Sequence, residues 1–237
     1  MDWSDKGYVL SAKMHGEHSL IITLLTQQNG RNAGLVRGGA SQKHRALYQP
    51  GNLLSVSWRA RLPEHLGTYT CEMMRSHASD FLHTHLPLLA LSSAVTLLDG
   101  SLPEREPVPE LFALFENLLV SLKTEKWASA YIFWEIELLA SLGFGLDFSE
   151  CAVTGINENL THVSPRSGRS VSAGAAQPYL NKLLALPRFL IEKDTNPEKK
   201  ELIEGFMLTG YFLRRHVLGD LNKPLPATRE RLIQGLT

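Results

Sequence analysis

From His18 to Arg61 the chain contains no aspartate and no glutamate, yet the same stretch carries Arg31, Arg37, Lys43, Arg45, Arg59 and Arg61. The overall balance of 24 Lys/Arg against 24 Asp/Glu conceals this. Residues 1–80 hold nine basic and six acidic side chains, which leaves fifteen and eighteen for residues 81–237, so a basic head precedes a mildly acidic body. A neutral solvated surface would intersperse both signs. Fixed cations without carboxylates instead create a positive field that suits a polyanion with closely spaced charges, nucleic acid first of all.

Other absences narrow the function. The only two cysteines, Cys71 and Cys151, lie far apart and give no disulfide framework. No apolar run approaches the roughly eighteen residues of a membrane span. The opening Met1-Asp2-Trp3-Ser4-Asp5 lacks the charged and apolar regions of a signal peptide, so a cytoplasmic protein is expected. Gly38-Gly39 leads into Ala-Ser-Gln-Lys without the spacing of a phosphate-binding loop, which argues against ATP hydrolysis. Neither a Gly-x-Ser-x-Gly elbow nor a His-Glu-x-x-His helix occurs. His15 with His18, and Asp80 with His83 and His85, are the nearest metal-like groups, but polar neighbours satisfy such histidines equally well and no metal is assigned.

What is present in the head reads as strands. Gly7 to Met14 is a first strand, closed by a His15-Gly16-Glu17 turn. Leu20 to Thr26 and Asn32 to Arg37 flank Asn29-Gly30, a strong short-range hairpin signal. A polar loop, Gly38 to Arg45, carries Lys43, His44 and Arg45. Pro50-Gly51 then turns the chain into Asn52 to Trp58, and Thr68 to Ser76 supplies a fifth strand. Five short strands without an intervening helix fit a small barrel, of which the five-stranded OB-fold is the most economical example. The aromatics Tyr8, Tyr48, Trp58 and Tyr69 could stack on bases, although most belong to a core; Tyr48, beside the basic loop, is the one expected to be exposed.

From about Asp80 the period changes to about 3.6 residues and the rest reads as helix. Leu82 to Leu98 forms the first, and Pro103, Pro107 and Pro109 interrupt a charged connection. Leu111 to Leu122 carries a wide apolar stripe. Trp127, Tyr131, Trp134 and Leu138 mark a third helix as a core row, with Glu135 and Glu137 off that face. Gly143 to Gln177 holds five glycines and reads as an insertion with a hairpin, followed by a short helix from Pro178 to Phe189. Asn196 is placed to cap the last long helix, with Pro197 first and Glu198 favourable to the helix dipole; Arg214, Arg215 and His216 fall near its end, and Gly219 stops it. The fold class expected is α+β, an N-terminal five-stranded OB-fold barrel over residues 1–79 and a mostly helical domain over 80–237.

Several stretches, in order, resemble the bacterial recombination mediator family RecO through nearly the whole chain: Tyr8-Val9-Leu10, Gly16-Glu17-His18-Ser19, Gly30-Arg31, Val36-Arg37-Gly38-Gly39, Leu47-Tyr48-Gln49-Pro50-Gly51, Leu142-Gly143-Phe144-Gly145-Leu146-Asp147, and Cys151-Ala-Val-Thr-Gly155. The resemblance implies an OB-fold that binds single- and double-stranded DNA, a helical domain with an inserted zinc ribbon at about 147–177, and no catalytic residues. It further implies annealing of complementary strands and, with RecR, help to RecA in displacing single-stranded-DNA-binding protein (SSB), whose acidic, hydrophobic tail is received on the helical domain. Nucleoid association in the cytoplasm follows from such a role.

One departure bears on the metal. Zinc-binding members of the family have Cys-x-x-Cys-Gly and a second cysteine pair, whereas this chain keeps only Cys151, and Val171 to Ala175 offers no thiol. A structural zinc takes about four ligands, so a ribbon-like hairpin without zinc is expected. The candidate DNA contacts are Arg31, Arg37, Lys43, His44, Arg45, Tyr48, Arg59 and Arg61, and the candidate receivers of the SSB tail are Arg214 and Arg215. An RNA-binding OB-fold protein, a protein-interaction adaptor and an enzyme with a site assembled only in space are the rival classes.

Overall fold

The computed structural model describes every residue except Pro63, Lys193, Asp194 and Asp220, and all of the remainder but the side chain of Lys43. The chain divides into two compact units, Met1–Leu119 with Pro226–Thr228, and Val120–Leu225 with Arg229–Thr237.

In the first unit the strands β1 (Asp2–His15), β2 (Ser19–Thr26), β3 (Gly30–Val36), β4 (Leu53–Arg59) and β5 (Thr68–Arg75) close into a barrel in the order β1-β2-β3-β5-β4. All neighbours are antiparallel except β3 and β5, which meet in parallel at Leu35 and Thr68. This is the OB-fold arrangement. Alternation dictates the interior: Val9, Leu20, Ile22, Leu24, Val36, Leu54, Val56, Trp58 and Tyr69 share one core. Each fully buried aliphatic among them contributes about 1.5–3 kcal/mol relative to exposure. Strand β1 starts five residues before the expected Gly7, because its first half pairs with β4 (Asp2 opposite Arg59) and its second with β2 (His15 opposite Ser19). A bulge between Val9 and Ser11 marks the change of direction.

The loop after β3 contains one helical turn, α1 (Gln42–Arg45). Buried Asn52 fixes the loop's far end by donating to the carbonyls of Ala46 (2.9 Å) and Leu47 (3.3 Å). Beyond the barrel, a 3₁₀ turn (Ala78–Phe81) leads into α2 (His85–Ser101) and then α3 (Pro109–Ser121). Helix α2 begins three residues after the expected Leu82, which is exposed. Tyr8 packs its ring 5.0 Å from those of Phe112 and Phe115, and its hydroxyl donates to Glu116.

The second unit is built on α4 (Trp127–Ser141) and α6 (Lys199–Phe212), the latter continuing as a π-helical stretch, Leu213–Leu218. Between them lies a three-stranded sheet of β6 (Leu160–Val163), β7 (Ser170–Ser172) and β8 (Leu184–Ala185), in the order β7-β6-β8, with one helical turn, α5 (Ala173–Ala176), after β7. A last helix is α7 (Ala227–Gln234). Among the described residues no helix is long and apolar enough to cross a membrane.

Two expectations for this unit fail in the structure. Pro178 to Phe189 is not one helix but 3₁₀ turns on either side of β8, because β6 needs a second antiparallel neighbour. Glu198, not Asn196, caps α6, through a capping box in which the Glu201 side chain accepts from the Glu198 amide at 3.0 Å. Glu135 does lie off the Trp127–Tyr131–Trp134–Leu138 face, yet it is fully buried. Its carboxylate accepts from Arg229 Nε (2.7 Å) and Nη2 (2.8 Å) and from the Thr209 hydroxyl (2.5 Å). Burial pushes the Arg229 guanidinium down, but Glu135 beside it outweighs that and holds its pKa up.

Candidate nucleic-acid interface

The exposed cations of the head gather along connected parts of the barrel surface. Arg37 follows β3 directly, two residues beyond Leu35, whose amide donates to Gly67 O of the β4–β5 loop at 3.0 Å. Arg59 and Arg61 close β4 and open that loop, and with Leu35, His65, Leu66, Gly67 and Thr68 they line an open groove of about 740 Å³. On the other side of Arg37, the Ala40 amide donates to His18 O at 3.2 Å, tying the loop of His44 and Arg45 to the β1–β2 turn. The order along the surface is therefore His18, the Gly38–Arg45 loop, Arg37, Leu35, then Arg59 and Arg61. Arg37, His44, Arg45, Arg59 and Arg61 are all exposed, and none of the four arginines forms an ion pair with a described residue. His44 Nδ1 lies 3.0 Å from Ser41 Oγ, at the start of α1. Lys43 is in the same turn, its side chain outside the described residues.

Two candidates are placed differently. Arg31 is directed at α2 and the segment after it: Nε donates to Asp99 (3.0 Å) and Nη1 to Glu104 (3.3 Å), leaving its side chain 18% exposed. Its charge is neutralised by carboxylates 68 and 73 residues away in sequence, which an acid-free stretch cannot reveal. Tyr48, expected at the surface, is buried in the barrel core, and its hydroxyl bonds to the thiol of Cys71. Burial pushes that thiol up to about 12, with the Tyr48 bond opposing. Neither residue is available to a strand in this structure.

The outward positions of β2 and β3 beside the groove are the half-buried Ile21, Ala33 and Leu35 and the buried Thr23, paired Ile21–Leu35 and Thr23–Ala33, with Ser11 and Lys13 of β1 next to them. They are aliphatic, hydroxyl and cationic groups, without an aromatic ring. The half-exposed aromatic of the head is instead Trp3, absent from the sequence candidates. It stacks on its cross-strand partner Trp58 (5.5 Å, 17°) and meets the Tyr69 ring edge-on at 5.9 Å. The only sequence signal for it was an apolar residue two positions before Asp5 and four before Gly7 on the same strand face.

In the second unit, Arg215 donates to Pro165 O (3.1 Å) and to the Tyr211 hydroxyl (2.8 Å), while Arg214 is exposed on the π-helical turn. The ribbon-like hairpin is held by main-chain bonds Asp147 N to Gly168 O, Ser170 N to Asp147 O and Ala152 N to Ser170 O, and by Arg169 between Asp147 (3.4 Å) and Glu150 (2.7 Å). Bonds from Ser149 and the nearby Arg169 hold the Asp147 carboxyl below its usual range. Cys151, at the knuckle, is buried and accepts from Ser172 N at 3.3 Å. Burial pushes its thiol up, but bonds from Ser172, Thr154 and Val153 outweigh it and bring it down to about 6. The donor chemistry does not fit a structural zinc: around Cys151 stand hydroxyl and amide groups, and no three His, Cys, Asp or Glu side chains cluster as metal ligands among the described residues.

A closed OB barrel with its cations gathered on the loops of one connected surface, attached to a helical unit with a ribbon-like hairpin, defines a class of basic-headed OB-fold proteins. Family models narrow this class to one family: "Recombination protein O N terminal" matches residues 1–77 and "Recombination protein O C terminal" matches residues 85–224. The chain is 48% identical over 235 residues to DNA repair protein RecO of Rhodospirillum centenum, covering 98% of this chain and 94% of that one. It is 45% identical to that of Jannaschia sp. (100% and 96% covered) and 42% identical to that of Hyphomonas neptunium (100% and 99%). The chain belongs to the RecO family.

Proposed function

We propose that this chain is a DNA-repair and recombination mediator, rather than an enzyme, that holds the phosphates of single- and double-stranded DNA on its barrel and anneals complementary strands. The observation that carries this is the combination of Arg37, Arg45, Arg59 and Arg61, exposed and without described carboxylate partners, with a neighbouring β2–β3 face of Ile21, Ala33 and Leu35. Cations engage phosphates and position a strand without reading it. A face without stacking rings leaves the bases free to pair, which is what annealing requires. Arg31 is left out of the contact set, its role being to hold the barrel to α2.

The finer family role is adopted in the same reading: action with RecR, and indirectly RecA, on SSB-coated DNA at the nucleoid. For the acidic, apolar tail of SSB the second unit offers a groove of about 390 Å³ lined by Lys126, Ser129, Phe133, Phe189, Leu190 and Ile191, in which Phe133 meets Phe189 edge-on at 5.8 Å. Apolar floor and cation at one edge match such a tail better than Arg214 and Arg215 do, since Arg215 already has two partners. Loss of SSB capture in Phe133→Glu, with Arg214→Ala unaffected, would support that placement.

The test of the main reading is fluorescence anisotropy of a labelled single-stranded oligonucleotide across a salt series. With about four phosphates engaged, log affinity falls against log salt with a slope near −3. The Arg37→Ala, Arg45→Ala, Arg61→Ala triple variant should bring the slope to about −0.7. A flat response, or a triple variant indistinguishable from the parent, would refute the reading. Equal or tighter binding of an RNA oligonucleotide in competition would favour the RNA-binding alternative.

A further inference from the structure

We infer that Arg105 is a positioning residue of the phosphate groove: it holds the β4–β5 loop so that Arg61 and His65 line that groove. The inference rests on the reading of the groove as a phosphate site.

The loop from Ala60 to Gly67 follows β4 and carries Arg61 and His65. Four consecutive carbonyls in its second half each accept a hydrogen bond from outside the loop. Arg105 Nη2 donates to Glu64 O (3.4 Å) and His65 O (2.8 Å), Trp58 Nε1 to Leu66 O (3.0 Å), and Leu35 N to Gly67 O (3.0 Å). Two of these anchors come from barrel strands. The third comes from the connection between α2 and α3, which the sequence shows only as a charged, proline-rich interruption.

The backbone around Arg105 is shaped for that reach. Its amide donates to Arg31 O at 2.8 Å, and Glu104 forms an isolated parallel bridge with Arg31, so this connection runs alongside the start of β3. Arg105 has φ +63, a left-handed conformation that side chains other than glycine adopt at a cost. Gly30 (φ +65) has no Cβ, and one placed there would run into the Glu106 carbonyl. From this position the Arg105 guanidinium lies 6.0 Å from the Trp58 ring, over the same indole whose N–H holds Leu66 O. A half-buried cation that donates to loop carbonyls is thus committed to the protein. The cations it arranges are the ones left open.

The test pairs two readouts on the full chain. Trypsin cleavage after Arg61, followed by mass spectrometry, reports the loop without DNA; Arg105→Ala should accelerate it about tenfold, as expected for loss of a charge-assisted hydrogen bond. In anisotropy with a poly-dT oligonucleotide, Arg105→Ala should weaken binding, and the loss should vanish when Arg61 is already alanine. The salt slope of Arg61→Ala/Arg105→Ala should then be shallower than the parent's by about 0.7, as for Arg61→Ala alone. Unchanged cleavage overturns the inference, as does a double variant whose slope is shallower by about 1.4, which would make Arg105 a phosphate ligand itself. Should Arg105→Ala fail to fold, Arg105→Gly removes the guanidinium while relieving the positive φ and is read the same way. A parent protein that does not bind poly-dT overturns the phosphate reading, and cleavage then still decides whether Arg105 holds the loop.

Discussion

Arg31→Ala separates charge counted in sequence from charge available to a ligand. The guanidinium spans Asp99 at 3.0 Å, both partners about four-fifths buried, and Glu104 at 3.3 Å, whose side chain is 60% exposed. The exposed arm contributes little, of the order of 0–1 kcal/mol. The Asp99 arm is a charge-assisted hydrogen bond in a largely buried setting, and its loss also leaves a carboxylate with reduced hydration, so about 1–3 kcal/mol is expected in all. DNA binding should respond in the opposite sense to what composition suggests. Four phosphates on a single strand give a slope of about −2.8, or about a 50-fold loss of affinity from 50 to 200 mM salt. Removing one contact, as in Arg37→Ala, reduces that loss to about 20-fold. Arg31→Ala should keep the 50-fold dependence while lowering the urea midpoint; Arg37→Ala should do the reverse. An Arg31→Ala protein of undiminished stability whose salt slope is shallower by about 0.7 would refute the assignment.

Further outcomes follow from other parts of the molecule. Arg229→Met leaves Glu135 fully buried, without its guanidinium partner and with the Thr209 hydroxyl beside it, and should cost about 3–5 kcal/mol by urea denaturation, most of it recovered in Glu135→Leu/Arg229→Met. Because the folded Cys151 thiol is held at about 6 against an ordinary 9, the unfolded chain binds more protons between those values. Stability should therefore rise with pH from 6 to 9, level off above 9 and be lost as pH falls through 6, a rise that Cys151→Ala removes when urea midpoints are compared at three pH values. Gly30→Ala must pay the left-handed conformation, about 1–2 kcal/mol, and displace the Glu106 carbonyl. Gly16→Ala has a similar φ but meets nothing within 4 Å, so the difference between the two urea midpoints isolates the second effect.

Much of the barrel was legible because an enclosed strand must alternate: Leu54, Val56 and Trp58 are buried while Ser55, Ser57 and Arg59 are exposed. The first half of β1 was not, because its inward positions include Asp5, whose carboxylate caps the β2–β3 turn by accepting from Gln28 N and Asn29 Nδ2, both at 2.9 Å. At the candidate interface, the exposure of Arg37, Arg45, Arg59 and Arg61 could be read from an acid-free run, since their openness depends on neighbours close in sequence. Arg31 could not, because what neutralises it comes from α2 and beyond. Tyr48 is a loop aromatic, as its surroundings in sequence suggest, but it turns into the barrel, where the Cys71 thiol that receives its hydroxyl sits on β5. Arg229 lies in Thr-Arg-Glu-Arg, which resembles a solvated helix end, and only the burial of Glu135 explains its place.

The Glu135–Arg229 pair also sets an order of events during synthesis. Helix α4 leaves the ribosome with a carboxylate on a surface destined for the interior, and its guanidinium partner is translated 94 residues later. Until then, docking α4 against α6 would seal an unpaired charge away from water, at a cost of several kcal/mol. A growing chain therefore has reason to keep that packing open, and a nascent polypeptide stalled short of residue 229 should remain accessible to chaperones and proteases while the barrel ahead of it has all five strands in hand.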